Sequence, residues 1–343
     1  MLRLRTDAWY QRQEKVGYHE TSSELTKLKK QPGYEWLNDV SSVPVQQSLR
    51  HLNSAFANFF AKRAGYPRFK RKDGRQSAEY TASAFKWVAG ALSLAKMDGT
   101  IKVRWSRSIP SAATPTTVTV TKDTAGRYFV SLLCDDAVAL AGPVGGIVGI
   151  DVGLTHLVVL STGEKIGSLK PFHKNERRLR QLQKSVARKT KGSMRRRRAK
   201  LKVAKLHAKI ADTRKDSLHK LSRRLVNENQ VLAVETLSVS NMRRNRKVSK
   251  AIGDAGWAYF LRLLEYKSSW SGRTLVGIDR WYPSSKRCSN CGHVVEEMGL
   301  RVRRWNCPEC GSPHDRDVNA AQNILAAGLA VLARGEVVSP VSL

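Results

Sequence analysis

The stretch Gly145-Gly146-Ile147-Val148-Gly149-Ile150-Asp151-Val152-Gly153 is a short apolar run that ends in a carboxylate and a glycine. A second apolar run, residues 157–160, follows after a tight connection. Two such runs predict two β-strands, and a third short strand is expected after the turn at residues 161–163. Asp151 would close the first strand, where packing gives a carboxylate no purpose. We therefore expect a functional role for Asp151, with an ordinary turn residue as the alternative. Gly149 and Gly153 would let a nucleic-acid backbone approach.

A fully apolar run at residues 231–234 is typical of a buried parallel strand, and Glu235 follows it at once. If the strands that end at Asp151 and Glu235 are parallel neighbours, both carboxylates emerge at one edge of the sheet. That edge is where α/β folds place their sites. The alternative for Glu235 is an ordinary salt-bridge partner.

A third acid must come from another element, and Asp317 lies in the first turn of a predicted helix over residues 316–333. The spacing favours Asp315 as the helix cap and Asp317 as the ligand, although either could be only a cap. Three converging carboxylates would hold two Mg²⁺ or Mn²⁺ ions for phosphodiester cleavage. The apolar positions expected to lay this helix against the sheet are Val318, Ala321, Leu325, Leu329 and Leu332.

The charge balance points to a polyanionic partner. The chain of 343 residues has 61 Lys and Arg against 28 Asp and Glu, a net charge of +33. Such a charge repels itself unless a polyanion offsets it, so nucleic acid is the expected partner, bound with strong salt dependence. A membrane-surface protein or a ribosomal-type structural protein is the alternative. The sequence has no signal peptide and no run able to span a bilayer, which predicts a cytoplasmic protein.

Two basic segments are candidate nucleic-acid contacts. Residues 171–228 predict a helical hairpin broken near residues 191–193, and residues 171–224 hold 21 Lys and Arg but three acids. A solvated helix face normally mixes both signs, so a phosphate-binding surface is the favoured interpretation. The loop at residues 65–72 interleaves aromatic and basic residues, which suits stacking and backbone contact as well as it suits a solvated charge run. The candidate residues are Arg68, Lys70, Arg71, Lys72, Arg195, Arg196, Arg197, Arg198 and Lys202.

Four of the five cysteines form two Cys-x2-Cys pairs separated by fifteen residues: Cys288, Cys291, Cys307 and Cys310. This spacing predicts a zinc ribbon, with an iron site as the alternative. A glycine follows the second cysteine of each pair and allows a tight turn. Four thiolates saturate tetrahedral zinc, so one structural Zn²⁺ is expected.

The patterns predict an α+β multidomain chain. Residues 116–121 and 127–133 alternate as strands do, and a small barrel or an antiparallel sheet is expected there. The predicted segments are helical at 1–63, β-rich at 64–143, α/β at 144–281 with the hairpin 171–228, cysteine module at 282–312, final helix at 313–335 and tail at 336–343.

Several motifs together resemble one family of transposon proteins. They are Gly149-Ile150-Asp151-Val152-Gly153, Val234-Glu235, Asp254-Ala255-Gly256-Trp257, Trp281-Tyr282-Pro283-Ser284-Ser285-Lys286 with the four cysteines, and His314-Asp315-Arg316-Asp317-Val318-Asn319-Ala320-Ala321. With Gly65-Tyr66-Pro67-Arg68-Phe69-Lys70, they resemble the TnpB (OrfB) proteins of insertion sequences, which are related to the compact CRISPR effector nucleases. The resemblance extends from about residue 60 onward.

The resemblance implies a β-barrel-like wedge domain and a split RuvC-like nuclease domain of RNase H fold, interrupted by the zinc ribbon. It implies an RNA-guided DNA endonuclease whose partners are a guide RNA from the transposon end and target double-stranded DNA. It also implies that Asp151, Glu235 and Asp317 are the catalytic triad. The alternatives are a transposase that joins DNA ends and an RNA-guided repressor that binds without cleavage.

One departure concerns the N-terminus. Family members usually open with a β segment of basic and aromatic character, whereas Met1-Leu2-Arg3-Leu4-Arg5 is predicted to start a helical region. A missing first strand would weaken the wedge-like domain, where the family reads the motif beside its target. A misassigned start codon would explain the departure equally well.

Overall fold

A computed structural model describes residues 1–106, 109, 113–136, 140–299 and 301–335. It divides into two compact units, Met1–Ala137 and Val138–Leu343. The predicted tail at residues 336–343 lies outside the described residues. No helix in the described part of the chain combines the length and the apolarity needed to cross a membrane.

The first unit begins with helices and continues with strands, as predicted. Its helices are α1 (Leu2–Arg12), α2 (Tyr18–Leu28) and α3 (Ser42–Phe60), and its strands are β1 (Gln76–Thr81), β2 (Phe85–Val88), β3 (Ala91–Leu94), β4 (Pro115–Lys122) and β5 (Tyr128–Cys134). Strands β1, β4 and β5 form an antiparallel sheet, and β2 pairs with β3 in a hairpin. The antiparallel sheet is confirmed, whereas a closed barrel stays a prediction.

The second unit alternates strands and helices around one larger sheet. Its elements are β6 (Gly146–Val152), β7 (His156–Leu160), β8 (Lys165–Gly167), α4 (Pro171–Ala187), α5 (Met194–Glu228), β9 (Asn229–Glu235), α6 (Val239–Met242), α7 (Ser249–Ala255), α8 (Trp257–Ser271), β10 (Thr274–Ile278), β11 (Arg304–Asn306), β12 (Pro313–Asp315) and α9 (Arg316–Ala333). The helix predicted around residues 255–270 begins at Trp257, after a left-handed Gly256.

The five-stranded sheet has the order β10-β9-β6-β7-β8. Strands β10, β9 and β6 are parallel, and the pairs β6–β7 and β7–β8 are antiparallel. Ile150 of β6 is paired with Val234 of β9, so the next residues, Asp151 and Glu235, lie side by side at one edge. The predicted parallel pairing is therefore confirmed.

Helices cover the sheet on both faces because side chains along its strands alternate. Leu232 and Val234 belong to a large core with residues of α5 and α8, including Leu225 and Phe260. Ala233, between them, packs instead with Ile324 of α9. Helix α9 therefore lies on the opposite face and carries Asp317 to the sheet from there.

Two sequence-based interpretations of this contact are wrong. A Cβ at Gly149 would lie 2.0 Å from the Ala321 carbonyl oxygen of α9, so this glycine admits the protein's own helix and not a nucleic-acid backbone. Leu329 was expected to face the sheet, yet it is 38% exposed. The adjacent Gly328 faces the sheet instead, where a Cβ would meet the Ala233 side chain at 2.6 Å.

The predicted hairpin is confirmed as α4 and the 35-residue α5. A small apolar cluster that includes Leu179, Leu206 and Ile210 holds the two helices together. Between them, the Ser193 hydroxyl accepts a hydrogen bond from the Arg196 backbone N–H and caps α5.

Candidate active site and metal centre

The structure brings Asp151, Glu235 and Asp317 to the same region of the second unit. Asp151 is on β6, Glu235 ends the neighbouring β9, and Asp317 is in the first turn of α9. Burial and, after it, the negative charges of Glu235 and Asp317 together raise the pKa of Asp151 to about 7. A carboxylate perturbed by burial and by two like charges is typical of a site that takes a cation.

Each of the other two carboxylates is held by a residue of the segment between β10 and α9. The Ser284 hydroxyl donates to Glu235 Oε1 at 2.5 Å. Burial raises the pKa of Glu235, and the hydrogen bond from Ser284 opposes that rise. Arg303 Nη1 lies 3.2 Å from Asp317 Oδ1, so a guanidinium shares this acidic site.

The structure assigns the helix cap to Asp315, as the spacing of the two acids predicted. Asp315 accepts a hydrogen bond from the Val318 backbone N–H at 3.2 Å and is the N-cap of α9. Its other oxygen pairs with Lys165 Nζ at 2.6 Å. The carboxylate of Asp317 is therefore not needed to cap the helix.

The donor set at this edge fits a hard divalent cation, because it consists of carboxylate oxygens whose mutual repulsion a cation would relieve. Among the described residues, the side chains grouped closely enough to share one ion are the four cysteines, whose sulfurs all lie within 4.8 Å of one another.

The four cysteines form the predicted metal-binding cluster. Cys288 Sγ lies 3.7 Å from Cys310 Sγ, and Cys291 Sγ lies 3.6 Å from Cys307 Sγ. A tetrahedral ion with metal–sulfur bonds near 2.3 Å requires sulfurs about 3.8 Å apart. The spacing of the thiols therefore fits a single closed site.

Two matching turns build this cluster. In each, the glycine after the second cysteine donates to the carbonyl of the first, from Gly292 to Cys288 at 3.0 Å and from Gly311 to Cys307 at 2.9 Å. Both glycines have positive φ, which explains their place in the sequence. Strand β12 (Pro313–Asp315) pairs with β11, so the sheet of this module continues to the residue before α9.

Three polar residues that sequence analysis missed join this module to its surroundings. His314 Nε2 lies 3.0 Å from Cys288 Sγ. Asn319 and Asn323, both buried on α9, donate to the Arg287 carbonyl at 2.7 and 2.6 Å. The repeat of asparagine four residues apart on one face of the predicted helix was the available signal, because a buried amide requires partners.

Asp279 is a fourth acid at the same sheet edge, directly after β10. It is exposed, and its Oδ1 accepts from the Trp281 backbone N–H at 2.7 Å. Asp279 is therefore an ordinary turn residue, the role that the alternative interpretation assigned to Asp151.

The predicted nucleic-acid residues divide between the two units. Arg68, Lys70, Arg71 and Lys72 are exposed in the first unit, and Arg195, Arg197, Arg198 and Lys202 are exposed on α5 in the second. Arg196 is half-buried, and its Nη1 donates to the Lys189 carbonyl at 2.6 Å. Part of its guanidinium is thus engaged in the turn of the hairpin.

Known proteins share this fold. A solved structure titled "Cryo-EM structure of the Cas12f1-sgRNA-target DNA complex" matches with a TM-score of 0.55 and 14% identity, over 94% of this chain and 78% of that chain. A family described as "Probable transposase" (OrfB_IS605) matches residues 142–246, and one described as "Cas12f1-like, TNB domain" matches residues 257–324. The fold is thus that of the Cas12f1 class.

Relatives extend the match along almost the whole chain. A protein of Streptomyces pristinaespiralis named "Putative RNA-guided DNA endonuclease" is 55% identical over 99% of this chain and 84% of its own length. An Escherichia coli K12 protein, "Putative RNA-guided DNA endonuclease InsQ", is 33% identical over 94% of this chain and 83% of its own. The chain belongs to the TnpB (OrfB) family.

Proposed function

We propose that this protein is an RNA-guided DNA endonuclease of a transposable element. The observation that carries the proposal is the meeting of Asp151, Glu235 and Asp317 from two adjacent parallel strands and a packed helix. Relatives that cover most of the chain are named as RNA-guided DNA endonucleases, which supports the guide and the substrate. Three antiparallel strands continued by two parallel ones support a RuvC-like domain of RNase H type.

The three carboxylates would hold two Mg²⁺ or Mn²⁺ ions. Such ions, when bound, supply a nucleophilic hydroxide and neutralise the charge that develops on the phosphate. The protein itself fixes the ligands: β6 and β9 set Asp151 beside Glu235, Ser284 holds one Glu235 oxygen, and α9 presents Asp317 from the far face of the sheet.

The remaining parts take supporting roles. The exposed arginines of α5 would contact phosphates of the guide RNA–DNA heteroduplex, which such proteins hold by its backbone. The four cysteines would bind one structural Zn²⁺, because thiolates at tetrahedral spacing leave no position open for substrate. DNA binding would place the protein at the nucleoid of a prokaryotic cell.

The test is to express the protein with its native flanking DNA, sequence the RNA that co-purifies and assay a plasmid that matches it. We expect cleavage that requires Mg²⁺ or Mn²⁺ and leaves 5′-phosphate and 3′-hydroxyl ends. Asp151→Ala should abolish cleavage, and the matched control Asp279→Asn should retain it.

Three results would contradict the proposal. Cleavage without any guide RNA would exclude the RNA-guided activity, and joined DNA ends would favour strand transfer. Guide-dependent DNA binding without cleavage, in wild-type protein loaded with Mg²⁺, would favour the repressor.

Metal analysis of the same preparation shows whether the cysteines bind zinc or iron.

A further inference from the structure

Ser284 lies where the carboxylate site meets the cysteine module. It is 6% exposed and lies in the loop that leads from β10 to the cysteine module. Its hydroxyl donates to Glu235 Oε1, across 49 positions of sequence. A glutamate side chain has several rotatable bonds, so one directed hydrogen bond removes much of its freedom.

The backbone of Ser284 is fixed from the other side by α9. Its carbonyl accepts from Asn323 Nδ2 at 2.9 Å, with Asn319 Nδ2 at 3.5 Å. The same two amides hold the Arg287 carbonyl, directly before Cys288. The hydroxyl that holds Glu235 is therefore positioned by the helix that carries Asp317 and by the start of the cysteine module.

We propose that Ser284 is a positioning residue of the carboxylate site, which orients Glu235 toward the metal ions and sets the affinity for them. The inference rests on the proposed function of that site. Partners that orient metal ligands commonly change metal affinity or activity by about 10- to 100-fold when they are removed. The neighbouring Ser285 provides a matched control, since it is a second hydroxyl in the same motif.

The test compares wild type, Ser284→Ala, Ser284→Thr, Ser284→Cys and Ser285→Ala as complexes with the co-purified RNA. The cleavage rate of matched DNA is measured against Mg²⁺ concentration. Binding of Mn²⁺ is measured separately by electron paramagnetic resonance, with the Asp151→Ala complex as the blank. Zinc content and melting temperature are recorded for each protein.

We expect Ser284→Ala to raise the half-saturating Mg²⁺ concentration and to weaken Mn²⁺ binding by roughly 10-fold or more. Ser284→Thr, which keeps the hydroxyl, should stay near wild type, and Ser285→Ala should match it. Ser284→Cys keeps only a weak donor and should be intermediate, which still tests the idea if the alanine variant folds poorly.

Equal metal dependence in wild type and Ser284→Ala would overturn the inference, because the hydroxyl would then only satisfy a buried position. So would a folded Ser284→Thr as impaired as the alanine variant. If wild type fails to cleave matched DNA, the proposed function fails, and Mn²⁺ affinity alone then decides the role of Ser284: weaker binding in the alanine variant supports it, and equal binding refutes it.

Discussion

The carboxylate edge and the four-cysteine cluster are prepared for cations in different ways. At the cysteines, two glycine turns bring every sulfur within 4.8 Å of the others, at the spacing of a tetrahedral ion. At the carboxylates, the ligands come from β6, β9 and α9, and Arg303 contacts Asp317. The cysteine cluster is a closed site, with the geometry that structural zinc requires. We call the carboxylate edge the open site, because under the proposed function its metal ions would leave room for a substrate.

The two sites nevertheless share supports. Asn319 and Asn323 hold the carbonyl directly before Cys288 and follow Asp317 on the same helix. We therefore expect a change at the closed site to affect the open one, and we expect a change of carboxylate charge to leave the cysteine turns intact. The variants below test this asymmetry.

The largest effect is expected from Cys307→Ala, which removes a buried ligand of the closed site. Zinc content should fall from about one ion per chain to none, since three thiolates leave tetrahedral zinc incomplete. Binding energy of about 10–16 kcal/mol for structural zinc is also folding energy, so the module should lose protease resistance and cleavage should fail.

The matched control for this variant is Cys134→Ala, which changes the cysteine at the end of β5 in the other unit. Its zinc content should equal that of wild type, measured by plasma emission spectrometry. An unchanged zinc content in Cys307→Ala would show that the four cysteines do not form the zinc site.

Glu235→Gln should act on the open site alone. The amide oxygen can still accept from Ser284, but it carries no charge for a metal ion. We expect cleavage to fall about 1000-fold, which corresponds to about 4 kcal/mol at 1.36 kcal/mol per tenfold change. Single-turnover rates, with zinc content and RNA binding as checks, measure this effect. Loss of zinc from Glu235→Gln would mean that the two sites depend on each other in both directions.

The sequence predicted which carboxylates and which cysteines come together better than it predicted the residues that hold them in place. Asp151 and Glu235 follow from local patterns, because two apolar strands that end in acids meet at one edge when they are parallel. Ser284, Arg303 and the asparagines of α9 act across the fold, and their roles depend on how the cysteine module packs on that helix. Spacing along the chain carries no such information.

The register of α9 shows the same limit. Its apolar residues recur around much of the helix, so periodicity alone could not tell whether Leu329 or Gly328 faces the sheet. The close contact between α9 and Gly149 of β6 sets which side of the helix faces the sheet, since the helix backbone can approach the strand only where a side chain is absent. A glycine that admits a helix and one that admits a ligand look alike in a sequence.

His314→Ala should produce a smaller change at the closed site. His314 Nε2 lies 3.0 Å from Cys288 Sγ, and its ring packs on Trp305 at 4.7 Å. In the tautomer with its proton on Nε2, His314 donates to the Cys288 thiolate and stabilises it as a ligand, so loss of the ring should lower zinc affinity by roughly 10-fold. Competition with a chromophoric chelator measures it. His293→Ala, in the first cysteine turn, is the control. Equal zinc affinity in the two variants would leave His314 without a role at the ion.

Arg303→Gln should have the smallest effect and the opposite sign. The guanidinium lies 3.2 Å from Asp317 Oδ1 with its side chain 55% exposed, so it competes with a metal ion for that carboxylate. Exposed ion pairs are worth about 0.2–1 kcal/mol, and the half-saturating Mg²⁺ concentration for cleavage should fall by at most about fivefold. Arg304→Gln removes the same charge from the next residue and controls for the general field. Equal shifts in the two variants would mean that Arg303 acts only through that field. A higher half-saturating Mg²⁺ concentration in Arg303→Gln alone would mean that Arg303 helps to hold Asp317 in place for the metal ions instead of competing with them. The carboxylate site would then resemble the cysteine site more closely, because both would be held in place by neighbouring residues.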